Sequence, residues 1–407
     1  MKSSLVVFTV AVLALVPQPR AVPSFPPLDE ARQALESNLP QWMAAARVPG
    51  LAIAIVDNGK VAWTKGFGVL QARTDAPVTE RSRFQAASLT KPVTAYIALQ
   101  LADAGRLGLD EPLTKYVKYA DLPEDARAGS ITARFVLSHR TGFPNWRRGD
   151  ALRLFFAPGE RFSYSGEGYV YLQRAIEAIT GETLEVTGSA LVFQPLKMDH
   201  SSLLPEAGSR EPSAGSREQE AGSREREAGS REPAAGSRRP EAGSRQPEAD
   251  IALPHTDIGT PLRARPLPPF ANAAASLVTS IADYAAFVTA VTRGERLKPE
   301  TARLMFTPQV QLEGCTQCTE KPRAEASKDL AWGLGWGLED GSAGRLAWHW
   351  GDNGGYKNYV LVSPDGARGF VFFTNADSGL ALRDKITAAV IGGTHPAARI
   401  LSYKQLE

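Results

Sequence analysis

The chain has 407 residues, of which 43% are hydrophobic, and its 46 Lys and Arg against 44 Asp and Glu give a net charge of +2. This balance argues against a nucleic-acid-binding protein that works through a basic face, and a count of only two cysteines excludes a small disulfide-dense scaffold. No uninterrupted apolar run reaches the roughly 18 residues that indicate a membrane span, so the composition predicts a large globular protein.

The N-terminus has the pattern of a secretory signal peptide. Lys2 precedes the apolar run 5–16, which Pro17 and Pro19 end shortly before Ala21. A charged start, a short apolar segment and a small residue are typical of a cleavable signal over 1–21. The alternative is a short membrane anchor, although 12 residues rise too little to cross a bilayer. We expect export to the periplasm or the medium, with no stable membrane span after cleavage.

The elements between the ends predict an α/β (α+β) protein. A helix is expected near 28–47, and two strands are joined by the hairpin signal Asp57-Asn58-Gly59-Lys60. Mostly helical stretches follow, and the chain closes with four strands and a helix; the predicted ranges are strands 51–56, 61–67, 332–339, 346–350, 356–362 and 369–374, a helical region 88–294, and a last helix 380–391. Strands at both ends predict one antiparallel sheet flanked by helices, with a mostly helical subdomain inserted. The predicted division is an α/β subdomain of 26–80 and 300–407, and a helical subdomain of 81–299.

A repeat interrupts the helical region. Ala-Gly-Ser-Arg begins at 207, 214, 221, 228, 235 and 242, a strict period of seven. A coiled coil needs apolar residues at two of seven positions, whereas these repeats offer only Ala together with Gly and Pro, which disfavour a helix. We interpret 206–247 as a disordered insert in a surface loop; a tether that binds a cell-envelope partner is the alternative.

Ser88-Leu89-Thr90-Lys91 opens an apolar helical stretch. Residues three apart share a helix face, so the Lys91 amine is expected one turn from the Ser88 hydroxyl. Free N–H groups at a helix start favour a developing oxyanion. A serine with a base in reach is the requirement for nucleophilic catalysis, although an isolated match is more often a helix cap beside a solvated lysine.

Two further segments support the catalytic interpretation. Tyr164 lies in a loop that precedes an amphipathic helix, from which its phenol could reach the nucleophile. His349 and Gly351 lie on a predicted strand near the end of the chain, where a glycine lets a substrate lie against the strand edge.

At these residues the chain resembles the serine β-lactamase and penicillin-binding protein superfamily, and most closely its class C-like enzymes with their esterase and D-peptidase relatives. Ser88-x-x-Lys91, Tyr164-Ser-Gly166 and His349-x-Gly351 are similar to its three active-site elements. The resemblance covers nearly the whole mature chain; its other segments are Val48-Pro49-Gly50-Leu51, Phe84-Gln85-Ala86-Ala87, Leu109-Asp110-Glu111-Pro112, Leu137-Ser138-His139-Arg140-Thr141-Gly142, Pro195-Leu196-Lys197-Met198 and Ala275-Ser276-Leu277-Val278.

The resemblance implies a role for each site residue. Ser88 would be acylated, Lys91 and Tyr164 would share the acid and base work, and the N–H groups of Ser88 and Asp352 would bind the oxyanion. His349 stands where many relatives have a lysine, as in the esterase-like branch. Whether a neutral Lys91 is the base, or a charged Lys91 lowers the pKa of Tyr164, stays open at this stage.

Two departures from the family pattern bear on the substrate. Trp350 stands where many relatives have a small hydroxyl residue, and Gly166 stands where they have an asparagine. In those relatives the hydroxyl and the amide are expected to hold the carboxylate and the side chain of a β-lactam. We therefore expect an exported serine acyl hydrolase for a small-molecule or peptidoglycan-derived substrate, with esters and D-amino-acid peptides ranked above β-lactams. The alternative is a penicillin-binding sensor that does not turn over.

Other residues receive no catalytic role. Cys315 and Cys318 are too few for a zinc site, and in an exported protein a local disulfide is expected, with free thiols as the alternative. His139 is interpreted as a structural hydrogen-bonding residue that does not face the motif residues. Four tryptophans could line a cleft, although buried packing is the default; they are Trp146, Trp332, Trp336 and Trp350. We expect neither a cofactor nor a metal, and the sequence leaves the oligomeric state open.

Overall fold

The computed structural model describes residues 25–204, 250–262, 270–312, 316–317, 327–401 and 405–406. The predicted signal peptide, the repeat 206–247 and both cysteines lie outside the described residues. The helices in these ranges are α1 Leu28–Ala46, α2 Thr90–Asp103, α3 Ala133–Leu137, α4 Gly166–Thr180, α5 Leu184–Gly188, α6 Ile281–Thr292, α7 Pro299–Met305 and α8 Arg383–Val390. The strands are β1 Gly50–Asp57, β2 Lys60–Gly68, β3 Arg83–Gln85, β4 Val278–Ser280, β5 Val310–Gln311, β6 Leu330–Trp332, β7 Gly337–Gly341, β8 Gly344–Asp352, β9 Lys357–Val362 and β10 Arg368–Thr374.

The two ends of the chain build one antiparallel sheet, as the sequence predicted. Its order is β2-β1-β10-β9-β8-β7-β6-β5, and β1 pairs with β10 from Leu51 opposite Thr374 to Asp57 opposite Arg368. The β1–β2 hairpin turns at Asn58 and Gly59, both with positive φ, because a type I′ turn matches the twist of its strands. A second, two-stranded sheet pairs β3 with β4.

The large sheet is buried on both faces. Leu51, Ile53 and Ile55 of β1 belong to the core cluster formed with α1 and α8. Ala52 and Ala54 alternate with them and belong to the cluster formed with α2, α4 and α6, because successive side chains of a strand point to opposite faces. Helix α6 contacts β1, β2 and β10 although it falls within the predicted helical part of the chain. The boundaries of the two subdomains stay a prediction.

Two element predictions differ from the structure. The single strand predicted over 332–339 is two strands, β6 and β7, since the chain reverses where Gly335 has φ +86° and Gly333 N–H donates to the Trp336 carbonyl at 2.8 Å. The last helix begins as a 3₁₀ turn at Gly379–Leu382 before α8. No helix within the described ranges is both long enough and apolar enough to cross a membrane.

Candidate active site

Ser88 lies in a 3₁₀ turn, Ala87–Leu89, that leads directly into α2. Ala87 has φ +53°, a conformation that costs a residue other than glycine roughly 1–3 kcal/mol. The turn is held because Thr90 Oγ1 donates to the Ala87 carbonyl at 2.6 Å and accepts from Leu277 N–H at 3.0 Å. A strained, hydrogen-bonded turn therefore presents the Ser88 hydroxyl ahead of the helix.

Lys91, in the first turn of α2, is fully buried beside Ser88. Its Nζ is 3.2 Å from Ser88 Oγ and 2.9 Å from the Ala274 carbonyl oxygen. The same nitrogen is 4.6 Å from the ring centroid of Tyr164 and 5.6 Å from that of Tyr169. The predicted proximity of the amine and the hydroxyl is present, and the alternative of a solvated lysine is wrong.

The burial of Lys91 affects the charge state of its amine. Desolvation lowers the pKa of Lys91 well below its usual range, because an ammonium loses its hydration in an apolar surrounding. Among the described residues, the hydrogen-bond partners of the Lys91 Nζ are a hydroxyl and a carbonyl, and neither is a carboxylate. Burial therefore shifts the equilibrium of Lys91 toward the neutral amine, which can accept a proton from Ser88.

Tyr164 comes to this pair from the loop before α4. Its backbone N–H donates to the Thr316 carbonyl at 2.8 Å, and its ring centroid lies 4.8 Å from that of Trp350. The following residue, Ser165, caps α4 by accepting from Gly168 N–H at 3.0 Å. The structure thus brings together the serine, lysine and tyrosine predicted from the sequence.

His139 is the residue that sequence reasoning placed too far from the site. Its Nδ1 accepts from Ser165 N–H at 3.0 Å and its carbonyl accepts from Ser163 N–H at 2.8 Å, so the predicted hydrogen-bonding role is present. Its ring centroid, however, is 4.2 Å from that of Tyr164. His139 therefore holds the tyrosine loop on both sides of Tyr164, and burial lowers its pKa well below the usual range.

On β8, His349 is buried with its Nδ1 2.8 Å from the Trp350 carbonyl oxygen. Since a carbonyl only accepts, Nδ1 carries the proton and Nε2 keeps a lone pair. Nε2 has no hydrogen-bond partner among the described residues. Burial, to which the charge of a protonated Lys91 would add, lowers the pKa of His349 to about 3. His349 is thus a neutral group where many relatives carry a lysine.

Gly351 brings β8 against the serine turn. A Cβ at this position would lie 2.3 Å from the Ala86 carbonyl oxygen, so only glycine permits this approach. Across the ladder, Asn358 is paired with Gly351 and donates through Nδ2 to the Gln85 carbonyl at 2.9 Å. This contact places Asp352, the next residue of β8, at the cleft that contains Ser88.

The Asp352 carboxylate belongs to a small ionic network. Lys357 Nζ lies 2.7 Å from Asp352 Oδ1 and 2.7 Å from Asp377 Oδ1. Among the described residues, two carboxylates therefore share the Lys357 ammonium at the edge of the site.

The Ser88 hydroxyl opens into a cleft of about 360 Å³. Its described lining residues are Ser88, Asn145, Trp146, Tyr164, Ala275, Thr316, Gln317, Trp350, Asp352, Asn353, Ile400 and Leu401. Of the four tryptophans, Trp146 and Trp350 line this cleft, and Trp332 and Trp336 are buried. No sequence signal pointed to Asn145, Thr316 or Ile400, since each reaches the cleft only through the tertiary fold. The described residues contain no cluster of His, Cys, Asp and Glu that could hold a metal ion.

An antiparallel sheet flanked by helices, with a serine beside a buried lysine next to one of its strands, is the architecture of serine β-lactamases and penicillin-binding proteins. The chain belongs to the Beta-lactamase family, whose model matches residues 35–392.

Curated relatives match part of the chain. It is 31% identical over 179 residues to penicillin-binding protein 4 of Amycolatopsis lactamdurans, which covers 40% of this chain and 47% of that protein. It is 29% identical over 194 residues to protein flp of Staphylococcus aureus strain COL, which covers 43% of this chain and 39% of that protein. The chain thus matches less than half of the length of these relatives.

Solved structures share the fold over most of the chain. The D-alanine carboxypeptidase AmpC of Burkholderia cenocepacia superposes with a TM-score of 0.66 at 20% identity, covering 90% of this chain and 99% of that one. A D-stereospecific amidohydrolase from Streptomyces sp. superposes with a TM-score of 0.61 at 22% identity, covering 91% and 100%. At these identities the likeness establishes the fold.

Proposed function

We propose that the protein is an exported serine acyl hydrolase that forms a covalent acyl-enzyme on Ser88 with an ester or a D-amino-acid amide or peptide. The observation that carries the proposal is the buried Lys91 amine, 3.2 Å from the Ser88 hydroxyl. A neutral amine at that distance is a general base within hydrogen-bond reach of a nucleophile.

In the proposed reaction, Ser88 Oγ bonds to the substrate carbonyl carbon while its proton passes to Lys91. Tyr164 delivers a proton to the leaving group as the C–O or C–N bond breaks, which leaves an acyl ester on Ser88. Water then attacks that ester, losing a proton to the same pair of side chains, and Ser88 regains its hydrogen as the carboxylic acid departs. The N–H groups of Ser88 and Asp352 would hold the oxyanion in both steps.

The charges around the cleft favour a neutral substrate. Asp352 is the only charged side chain among the described lining residues, and His349 is neutral because burial lowers its pKa to about 3. A β-lactam or a peptide ending in D-Ala brings a carboxylate, and the described lining of the cleft offers it no cationic side chain. We therefore rank esters and neutral amides first; the D-amino-acid class is suggested by the activity named for the structurally similar amidohydrolase.

The test is labelling followed by turnover. A fluorophosphonate should modify wild-type protein and Ser130→Ala, an exposed serine variant, but not Ser88→Ala. Turnover should then be faster for p-nitrophenyl butyrate and a D-amino-acid amide than for nitrocefin. An unlabelled wild type under conditions that label a control hydrolase would refute the proposal. A stable adduct of Ser88 with labelled penicillin, with no product released and no turnover of the esters or amides, would instead favour a penicillin-binding sensor.

A charge variant tests the ranking of substrates. Asp352→Asn removes a unit charge, and at an effective dielectric constant near 20 and a separation of about 8 to 16 Å this is worth about 1–2 kcal/mol. We expect the ratio of kcat/KM for nitrocefin to that for the butyrate ester to rise about fivefold to thirtyfold. An unchanged ratio would show that Asp352 does not control the preference.

A further inference from the structure

Trp146 occupies the space into which a side chain at position 166, here a glycine, would project. A Cβ on Gly166 would lie 2.7 Å from both Cη2 and Cζ2 of Trp146, so the indole ring covers the glycine directly. Related enzymes are expected to carry an asparagine at this position, whose amide holds the acyl side chain of the substrate. In this chain an apolar ring occupies that place, and the glycine is what makes room for it.

The position of Trp146 is set by the residues on either side of it. Asn145 accepts through its carbonyl from Gly166 N–H at 3.0 Å and through Oδ1 from the same N–H at 3.1 Å. On the other side, Arg147 N–H donates to Glu167 Oε1 at 3.1 Å, and its guanidinium lies 3.2 Å from Glu167 Oε2. The tryptophan is therefore anchored at both neighbours to the first turn of α4, close to Tyr164.

The ring is also accessible to a ligand. Trp146 is 39% exposed and lines the same cleft as Ser88 and Trp350. Trp350 is almost buried and packs on Tyr164. A preorganised, half-exposed aromatic ring beside a nucleophile loses little entropy when it binds apolar surface.

We propose that Trp146 and Trp350 form an apolar subsite that selects acyl groups carrying an aromatic or large aliphatic side chain. This inference rests on the proposed acyl hydrolase function and names the acyl class that it would accept. Trp146 determines specificity; proton transfer stays with Lys91 and Tyr164.

The experiment varies the acyl group with the leaving group held constant. In wild type, kcat/KM for p-nitrophenyl phenylacetate should exceed that for p-nitrophenyl acetate, and Trp146→Ala should lower this ratio about tenfold. Trp146→Phe should keep most of the preference, and Gly166→Asn should reduce it because the new side chain displaces the indole. Trp63→Ala, on the far strand β2, is the matched tryptophan control and should keep the wild-type ratio. An unchanged ratio in active Trp146→Ala would overturn the subsite.

A binding measurement separates the subsite from the chemistry. N-methylphenylacetamide should bind Ser88→Ala protein by calorimetry, and the added change Trp146→Ala should weaken it about tenfold, with N-methylacetamide binding neither. If this difference appears while esters are not hydrolysed, the proposed function fails and the subsite stands. If the phenyl compound fails to bind, or binds both proteins equally, the subsite is refuted whatever the enzyme hydrolyses.

Discussion

Replacing Lys91 by methionine should change how stability depends on pH. The folded protein holds the pKa of Lys91 well below its usual range because the amine is buried, whereas the unfolded chain has a lysine pKa of about 10.4. Between these two pKa values the unfolded chain binds one proton more than the folded chain. The free energy of unfolding of the wild type therefore rises with pH by up to about 1.4 kcal/mol per unit relative to a chain without this lysine.

The effect is large enough to measure by urea denaturation. From pH 8 to pH 10 the wild type should gain up to about 2.5 kcal/mol over Lys91→Met, and the unfolding is followed by tryptophan fluorescence at each half pH unit. Taking the difference between the two proteins removes every titration that they share. Lys60→Met, which removes an exposed lysine, should run parallel to the wild type.

Two outcomes would refute this reasoning. If wild type and Lys91→Met keep a constant difference over this pH range, Lys91 is protonated in the folded state and acts on Tyr164 through its charge. If Lys91→Met keeps more than about one hundredth of the wild-type kcat/KM on an ester, the amine is not the general base.

Three further predictions concern other parts of the chain. Because the pKa of His349 is lowered to about 3, the acid limb of kcat/KM between pH 5 and 8 should be the same in His349→Gln and wild type; a limb that disappears would contradict this. Gly351→Ala should cut kcat/KM on an ester by about 10²-fold, since its methyl would lie 2.3 Å from the Ala86 carbonyl oxygen; Gly129→Ala, with open space around it, should not. Deleting 206–247 should leave Tm and turnover almost unchanged because long loop insertions cost little; loss of folding would refute the interpretation as an insert.

Local patterns predicted the elements that depend on neighbouring residues. Asn58-Gly59 was enough to predict the first hairpin, because a type I′ turn needs positive φ at both positions. The three-residue spacing of Ser88 and Lys91 was enough to predict their contact, although the turn before α2 is 3₁₀. In both cases the relevant forces act within a few residues.

Features that depend on the tertiary fold escaped the sequence. The sequence did not reveal that the chain reverses at Gly335, because this residue lies inside an apolar run. The hydrophobic period and the composition of such a run are the same for one buried strand as for two. His139 was predicted to be a structural hydrogen-bonding residue, yet nothing in its local pattern shows that its ring packs on Tyr164. Trp146 occupies the space that a side chain at position 166 would fill. The two positions are 20 residues apart in the sequence, so their contact is apparent only in the folded structure.

The position of His139 bears on the charge state of Lys91. Tyr164, Trp350 and the imidazoles of His139 and His349 form one continuous set of ring contacts at the site, and both imidazoles are kept neutral by burial. Such a shell offers Lys91 ring faces and the Ala274 carbonyl, and no described carboxylate pairs with it. A cation–π contact is worth about 2 kcal/mol or somewhat more when the charge is desolvated, which is less than the several kcal/mol that burying an ammonium costs. The shell therefore favours the neutral amine over the ammonium, as the proposed role of Lys91 as general base requires.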